Sequence, residues 1–238
     1  YAVMSGKRPI FITEKPQLFS DIYRDLRDIG SADLNPFILN SKGNEDPAMT
    51  DENGVVIYNT PKDAVKKQIL ASGKLPEEYD YAVLTYSQPN GNVEKNGMSA
   101  KQSFFRNIAT DNILVLDESH NAGGEGNTGT FMTETLPTTK GVVFLSGTFA
   151  KRADNMPIYA MKTSMNEANM SETELIEAIK TGGIPLQEIM SKNLTETGQM
   201  VRRERDFTGV TIDWQTMTDK KEQHWKTFDG VIYFVIRC

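Results

Sequence analysis

Short apolar runs alternate with amphipathic stretches along the first 160 residues of the chain. The apolar runs predict strands near residues 10–13, 55–58, 81–85, 113–116 and 142–146. Apolar positions recur at helical spacing between them, over residues 16–29, after Thr60 and Pro61 as the predicted cap and first turn, and over 101–109. Strands that alternate with helices are typical of crossover connections, so the pattern predicts an α/β fold with a parallel sheet.

The segments outside this alternation predict less regular structure. Residues 30–54 are rich in Asp, Asn, Ser and Gly and predict a polar excursion outside the core, and residues 90–97 predict a surface loop. Further along the chain, Ser171 and Glu174 are spaced as a capping box that begins a helix, and another helix is predicted over residues 186–194.

Two domains are predicted, because the composition changes near residue 160. Residues 1–160 form the sheet domain, and residues 161–238 form a mixed, helical extension, whose tail after residue 209 is less regular apart from an apolar run at 231–236. The chain does not begin with Met, and its opening residues resemble the end of a helix that stops at Gly6 and Pro9. We therefore expect a fragment of a longer protein.

The composition limits the class of protein. Hydrophobic residues make up 38% and charged residues 24% of the 238 positions, which is ordinary for a globular protein with a sizeable core. No apolar run approaches the roughly 18 to 20 residues that span a bilayer, and the first residues lack the order of a signal peptide. We expect a soluble intracellular protein without a membrane partner.

Charge and cysteine content exclude some functions. The single cysteine, Cys238, excludes an internal disulfide and a cysteine-based zinc cluster. The net charge of −6 argues against a protein that coats nucleic acid, which usually carries a basic surplus. Local basic patches remain at residues 200–205 and at Lys151 and Arg152, although solvated surface explains such patches equally well.

The most informative segment is an unbroken apolar run that ends in Asp117, Glu118, Ser119 and His120. Buried parallel strands are rich in Val, Ile and Leu, and ligands collect at their carboxyl ends. In NTPases of the P-loop class an Asp at this position holds Mg²⁺, and the next carboxylate polarises the attacking water. The alternative is a strand followed by an ordinary acidic turn, in which Asp and Ser are common.

A dedicated metal site is a second alternative for these side chains. Asp117, Glu118 and His120 could bind a divalent ion directly, with His224 or another carboxylate completing the ligand set. Adjacent residues on an extended strand point to opposite faces, so Asp117 and Glu118 do not easily share one ion. A metal-dependent hydrolase therefore ranks below the nucleotide hypothesis.

A second strand end carries Ser146, Gly147 and Thr148. Two small hydroxyls and a flexible backbone beside the carboxylates of a neighbouring strand suit the sensing of a bound nucleotide. The spacing from Asp117 to Ser146 leaves room for one crossover between adjacent strands. Ser-Gly-Thr is also a common turn, so this motif supports the nucleotide hypothesis only together with the acidic strand end.

Two further strand ends are candidates for phosphate contacts. Thr13, Glu14 and Lys15 follow one predicted strand, and Thr85 and Tyr86 follow another. Polar strand exits and helix N-termini bind phosphates through backbone N–H groups. Helix capping by the hydroxyl residues explains the same pattern equally well.

The sequence shows no phosphate-binding loop of the form Gly-x-x-x-x-Gly-Lys-Ser/Thr. Lys7 and Lys74 each follow a glycine, but Arg8 and Leu75 stand where a hydroxyl residue is required. Residues 123–126 contain three glycines and could bind phosphate, but a flexible loop is the simpler prediction.

The motifs carry a family resemblance. Residues 115–122, Val-Leu-Asp-Glu-Ser-His-Asn-Ala, resemble the Walker B segment, motif II, of superfamily 2 helicases in its Asp-Glu-x-His form. Residues 146–148 are similar to their motif III, with Gly in place of Ala. Residues 9–17 resemble motif Ia, and residues 84–88 resemble the later strand-binding motif of the same RecA-like domain.

Segments after motif III narrow the resemblance to one group. Together with the motifs, three segments resemble the strawberry notch group of helicase-like ATPases, which includes phage-encoded relatives: residues 152–159, 183–190 and 200–210. The resemblance covers roughly residues 1–210.

The resemblance implies that residues 1–160 form a partial RecA-like sheet domain, which hydrolyses ATP with Mg²⁺ and works on nucleic acid, DNA before RNA. It implies that residues 161–238 form a helical extension or linker towards a missing second domain. Asp117 would coordinate Mg²⁺ and Glu118 would activate water. Four residues would couple the nucleotide to the nucleic acid: His120, Ser146, Gly147 and Thr148. The residues expected along the bound strand are Thr13, Glu14, Lys15, Thr85, Tyr86, Arg152, Arg202 and Arg203.

The resemblance also implies parts that this sequence lacks. Walker A with its lysine is expected upstream, and a second RecA-like domain with its arginine finger downstream, so the fragment alone is not expected to hydrolyse ATP efficiently. Nucleic-acid binding would remain and would depend strongly on salt. The alternative is a RecA-like module that binds nucleic acid or protein without nucleotide chemistry. The expected location is the cytoplasm of a prokaryotic or phage-infected cell, or the nucleus of a eukaryote.

Overall fold

A parallel sheet forms the centre of the protein. The computed structural model describes residues 1–40, 48–91, 93–147 and 152–201. The strands are β1 (Ile10–Thr13), β2 (Pro36–Leu39), β3 (Met49–Thr50), β4 (Val56–Tyr58), β5 (Tyr81–Thr85), β6 (Ile113–Leu116) and β7 (Gly141–Phe144). Five of them form one sheet in the order β2-β5-β1-β6-β7, with every neighbouring pair parallel. The predicted α/β fold is confirmed.

Helices connect the strands and cover the sheet. They are α1 (Phe19–Asp28), α2 (Asp63–Ser72), α3 (Val93–Asn96), α4 (Ala100–Ala109), α5 (Asn127–Thr135), α6 (Met156–Ala160) and α7 (Glu172–Glu196). Short 3-10 turns are found at Val3–Ser5, Pro16–Leu18, Ser119–Ala122, Leu136–Thr138, Ala153–Asn155 and Ser164–Ala168. The predicted capping box of Ser171 and Glu174 is confirmed at the start of α7.

The two faces of the sheet are covered unequally. On one face, Leu114 and Leu116 of β6 are fully buried in the larger core, which helices α2, α4, α5, α6 and α7 complete. On the other face, α1 packs over β2, β5 and β1 through Phe19 and Tyr23. Beyond α1 this second face is open, and Val143 is 45% exposed.

One predicted strand belongs to a different sheet. Strand β4 pairs antiparallel with β3 in a separate two-stranded sheet and does not join the parallel sheet. The turn between them explains the pairing, because the Asp51 carboxylate accepts hydrogen bonds from the N–H groups of Asn53 at 2.9 Å and Val55 at 2.8 Å. Gly54 completes the turn with a left-handed φ of 79°.

The prediction that residues 30–54 lie outside the core was wrong. This segment contains β2, whose four residues are all buried, and β2 pairs with β5 at one edge of the sheet. The strand is only four residues long and begins with Pro36, which is tolerated at the start of an edge strand. The polar residues on either side mask the strand in the sequence pattern, and pairing with β5 specifies it.

Two of three helical predictions needed correction. Helix α2 has Lys62 as its N-cap, not Thr60, and begins at Asp63, two residues later than predicted. The predicted loop at 90–97 contains the single turn α3. The prediction of two helices after residue 171 is confirmed, because Gly183 interrupts α7 with a φ of 54° and a ψ of −149°, which are not helical.

The described residues up to Met200 form one compact unit, and the second unit is Val201–Cys238. The predicted domain boundary near residue 160 stays a prediction. The apolar run at 231–236 and the basic patch beyond Val201 lie outside the described residues. In the described part of the chain, no helix combines the length and apolar character needed to cross a membrane.

Candidate active site

The carboxyl ends of the central strands bring several predicted site residues to one edge of the sheet. Thr13 pairs with Thr85 in the parallel register, and Ile12 pairs with Leu116, the residue before Asp117. The Asp117 N–H donates to the Ile12 carbonyl at 2.8 Å, so hydrogen bonding continues one residue past β6. The predicted convergence of these strand ends is therefore present.

The acidic strand end turns sharply at Glu118. This residue has a φ of 46° and a ψ of 52°, a left-handed conformation that is uncommon for any residue other than glycine. Its N–H donates to Asp117 Oδ1 at 3.0 Å, and the N–H of Ser119 donates to the Leu145 carbonyl at 2.9 Å. The turn is thus fixed to the end of β7 as well as to β6.

The two adjacent carboxylates occupy different surroundings. Burial raises the pKa of Asp117 above its ordinary value, and the negative charges of Glu118, Asp21 and Glu14 raise it further, whereas the hydrogen bond from the Glu118 N–H opposes the rise. The Glu118 carboxylate instead lies 3.3 Å from Nδ1 of His120. A cation bound at Asp117 would therefore offset the negative charge around this carboxylate.

The carboxylates fit Mg²⁺ bound with phosphate oxygens better than a protein cage. Mg²⁺ is usually held by one or two carboxylates, waters and substrate phosphates. Within the ranges that the structure describes, no three His, Cys, Asp or Glu side chains converge as a metal site. Asp117 alone can supply the protein ligand of such an ion, so the residues present fit the predicted Mg²⁺.

A hydroxyl network links the acidic turn to the next strand and to α6. Nδ1 of His120 lies 3.4 Å from the hydroxyl of Ser146, and the tautomer of the ring decides which group donates. The Tyr159 hydroxyl lies 3.0 Å from that of Ser119 and also hydrogen-bonds Ser146. Burial raises the pKa of the Tyr159 hydroxyl, which keeps it a neutral donor. The predicted neighbours His120 and Ser146 therefore meet.

Tyr86 supports the acidic turn from the other side. Its hydroxyl donates to the Asp117 carbonyl at 2.8 Å, and burial raises the pKa of that hydroxyl. Neither this contact nor the one made by Tyr159 was predicted from the sequence. A buried Tyr near an acidic strand end is common in cores, and only the fold shows that both hydroxyls reach the turn.

The predicted nucleic-acid contacts differ in accessibility. Glu14, Lys15 and Arg152 are exposed, whereas the side chains of Thr13, Thr85 and Tyr86 are buried at the strand ends. Gly147 is exposed beside Ser146. Thr148, Arg202 and Arg203 lie outside the described residues. Contact of all these residues with a bound strand stays a prediction.

Lys7 and Lys74 each follow a glycine, as the lysine of a phosphate-binding loop does, but both glycines end helical turns. Gly6 follows the 3-10 turn Val3–Ser5 and has a φ of 74°, and Gly73 follows α2 with a φ of 67°. Both have the left-handed conformation of a C-cap. The prediction that neither segment is a phosphate-binding loop agrees with this geometry.

Comparison with known families agrees with the architecture of the sheet. The sequence matches a family described as P-loop containing NTP hydrolase pore-1 over residues 2–230. A search of curated proteins gave no match. The mostly parallel sheet with flanking helices is consistent with the RecA-like fold of P-loop NTPases. Because the match covers nearly the whole chain, this protein belongs to that family of P-loop NTP hydrolases.

Proposed function

We propose that this chain is part of the motor domain of an ATP-dependent helicase or translocase of superfamily 2, in the strawberry notch-like group. The observation that carries the proposal is the acidic turn at the carboxyl end of β6. There, Glu118 is held in a left-handed conformation and is joined through His120 to Ser146 at the end of β7. Membership in a P-loop NTP hydrolase family supports nucleotide hydrolysis at this turn.

The proposed roles follow from the surroundings of each side chain. Asp117 would hold Mg²⁺, and the ion would supply positive charge against the phosphates of ATP. Glu118 accepts a proton from the attacking water, and His120 orients its carboxylate from 3.3 Å. Ser146 contacts His120 and Tyr159, so a change at the carboxylates can reach α6 through hydrogen bonds.

The open part of the sheet supports a site completed by another segment of a longer parent chain. In the described part of the chain, the outer edge of β7 has no partner strand. The face beside it is a groove between α1 and the sheet, lined by Val115, Leu145, Ile22 and Ile29, and Leu145 is 46% exposed. Unpaired strand edges and apolar faces are normally covered.

Chain handedness indicates what could cover this face. Consider a strand that pairs with the free edge of β7 and precedes β1 in the sequence. Its connection to β1 would pass over β7 and β6, and a right-handed crossover places that connection on the face that α1 covers in part. The exposed groove lies on that face. We propose that a preceding strand and helix of the parent chain occupy it, with the phosphate-binding loop between them.

Nucleic acid is the proposed track, DNA before RNA, and a second RecA-like domain of the parent is the proposed partner. The exposed Lys15 and Arg152 support phosphate contact near the strand ends. The alternative function is a RecA-like module that binds nucleic acid or protein without hydrolysing ATP. The lack of a phosphate-binding loop in this sequence favours that alternative if the parent also lacks one.

The test is ATPase activity of the parent protein with and without single-stranded DNA or RNA. Replacing Glu118→Gln removes the proposed base, and we expect turnover to fall about a hundredfold or more while ATP binding persists. The matched control is Glu77→Gln, because Glu77 is exposed and lies before β5, at the opposite edge of the sheet. Equal turnover in both variants would refute the role of Glu118, and a parent without turnover but with nucleic-acid binding would establish the binding module.

A further inference from the structure

A cavity of about 520 Å³ lies beside His120, and of its lining residues only His120 and Arg152 have a role in the function proposed above. One wall is the glycine-rich loop 123–126, which follows the acidic turn. The opposite wall is the segment that contains Arg152, Asp154 and Asn155. The cavity has the size of a small-molecule or ligand-group site, and most of its lining is polar.

A buried carboxamide in this cavity lacks a partner. Asn155 is only 4% exposed and lines the cavity, yet none of the described residues forms a hydrogen bond with its side chain. Nδ2 of Asn121, on the same lining, is also buried without a partner in the described structure. Buried donors in native proteins are nearly always hydrogen-bonded, so Nδ2 of Asn121 indicates a missing acceptor, whereas the Asn155 amide lines the cavity.

The glycine-rich loop approaches the opposite wall of the cavity closely at Gly123. A Cβ at Gly123 would lie 3.0 Å from Asn155 Cα and 3.3 Å from Asn155 Oδ1, so any larger residue would narrow the cavity. Gly126 is the N-cap of α5 and provides no side-chain cap. The first N–H groups of a helix lack intrahelical acceptors and carry partial positive charge, which favours an anion.

Arg152 adds a positive charge at the cavity. Its side chain is 73% exposed, and Asp154 accepts hydrogen bonds from Nε at 3.0 Å and from Nη2 at 2.8 Å. This pairing orients the guanidinium and leaves Nη1 without an acceptor in the described structure. Asp154 is thereby neutralised, and the remaining carboxylate on the lining is the exposed Glu125.

We propose that this cavity binds a phosphate group through the Asn155 amide, the N-terminus of α5 and Arg152. Every one of these groups is a hydrogen-bond donor, and phosphate oxygens accept bonds from such neutral and positive donors. The phosphate belongs either to the backbone of a nucleic-acid strand or to a nucleotide. The choice of these two sources rests on the proposed function, whereas the phosphate site itself does not.

The test is binding of a fluorescein-labelled oligo(dT) to the full chain, measured by fluorescence anisotropy, with inorganic phosphate and MgATP as competitors. Asn155→Leu should weaken binding about tenfold, since a hydrogen bond to a charged group is lost. Arg152→Gln should weaken binding and lower the slope of affinity against salt by about one. Asn193→Leu is the control, because it removes an exposed carboxamide on α7.

Two further results separate a binding role from a structural one. Asn155→Leu replaces an unsatisfied buried amide with an apolar group of similar size, so its thermal midpoint should be equal to or above that of the wild type. A lower midpoint with unchanged binding would overturn the proposal. Glu125→Gln should tighten binding about twofold at low salt, whereas weaker binding would indicate a cation site and also overturn it.

The competitors identify the source of the phosphate. If the variants lose affinity for the oligonucleotide and MgATP does not compete with it on the wild type, the site binds a nucleic-acid strand. If MgATP competes, the site binds a nucleotide. If the wild type binds the oligonucleotide and both Asn155→Leu and Arg152→Gln bind it equally well, the site is refuted while the proposed function stands. If inorganic phosphate binds and neither larger probe does, the site stands and the proposed function fails. No binding of any probe refutes the site.

Discussion

The contact between Tyr159 and Ser119 can be tested by removing one oxygen atom. Tyr159→Phe deletes the hydroxyl that lies 3.0 Å from the Ser119 hydroxyl and retains the ring, which packs edge-on against Phe144 with ring centroids 4.9 Å apart. Ser119 is fully buried, so water cannot replace the lost partner without a rearrangement of the turn. The substitution therefore removes the hydrogen bonds of this hydroxyl to Ser119 and Ser146 and leaves the ring packing in place.

The expected loss of stability follows from these contacts. A hydrogen bond contributes about 1 kcal/mol net, and a buried hydroxyl left without a partner costs about 1–3 kcal/mol. Because ring packing is unchanged, we expect the free energy of unfolding to fall by about 2 kcal/mol. For a unit of this size that corresponds to a fall in the thermal midpoint of roughly 4 to 8 °C.

Thermal unfolding followed by circular dichroism measures this effect. The control is Tyr23→Phe, because Tyr23 is 8% exposed and its hydroxyl has no hydrogen bond to any described residue. In the parent protein, Tyr159→Phe should lower kcat severalfold and leave the KM for ATP unchanged, since Tyr159 acts on the turn through Ser119 and Ser146. Equal midpoints for the two variants would refute the reasoning.

Two further predictions concern charge at the site and the open face of the sheet. The fold raises the pKa of Asp117 above the ordinary 3.8, so the contribution of this group to stability is present below that pH and is lost as pH rises through the folded pKa. Asp117→Asn should therefore raise the unfolding midpoint at pH 7 and not at pH 3, and equal shifts at both pH values would contradict the electrostatic cause. Val143→Lys should change the stability of this chain by less than about 0.5 kcal/mol, because Val143 is 45% exposed. In the parent, the same substitution should lower the free energy of unfolding, measured with denaturant, by several kcal/mol if a helix covers that face. An equal loss in the parent and in this chain would show that no helix covers it.

Continuous apolar runs made the central strands predictable. Strands β1 and β5 are almost entirely buried, β6 alternates buried and half-buried residues, and β7 is half-buried or exposed, yet all four sequences are apolar at successive positions and end abruptly in polar residues. The same abrupt ends located Asp117 and Ser146. Strand β2 escaped prediction because its run is short and begins with Pro36, and only pairing with β5 makes it a strand.

The support of the site was not predictable, because it depends on contacts between distant segments. Tyr86, just after β5, and Tyr159 in α6 reach the acidic turn, and no local spacing signals either hydroxyl. In the sequence Asn155 resembles an ordinary loop residue, and only the structure shows that it is buried and that its side chain has no partner among the described residues. Sequence patterns report which residues a strand presents, whereas hydrogen-bond partners across the fold are fixed by tertiary packing.

The conformation of Glu118 bears on whether the acidic strand end is functional or an ordinary turn. A left-handed residue other than glycine costs about 1–2 kcal/mol, and glycine adopts the same φ almost without cost. The chain uses left-handed glycine at Gly124, close by, and yet places glutamate at 118. In a regular strand, adjacent side chains point to opposite faces. The left-handed turn interrupts that pattern, so that Glu118 reaches His120 while Asp117 stays at the strand end. An ordinary turn has no need of that side chain, whereas a metal ligand next to a general base requires this separation.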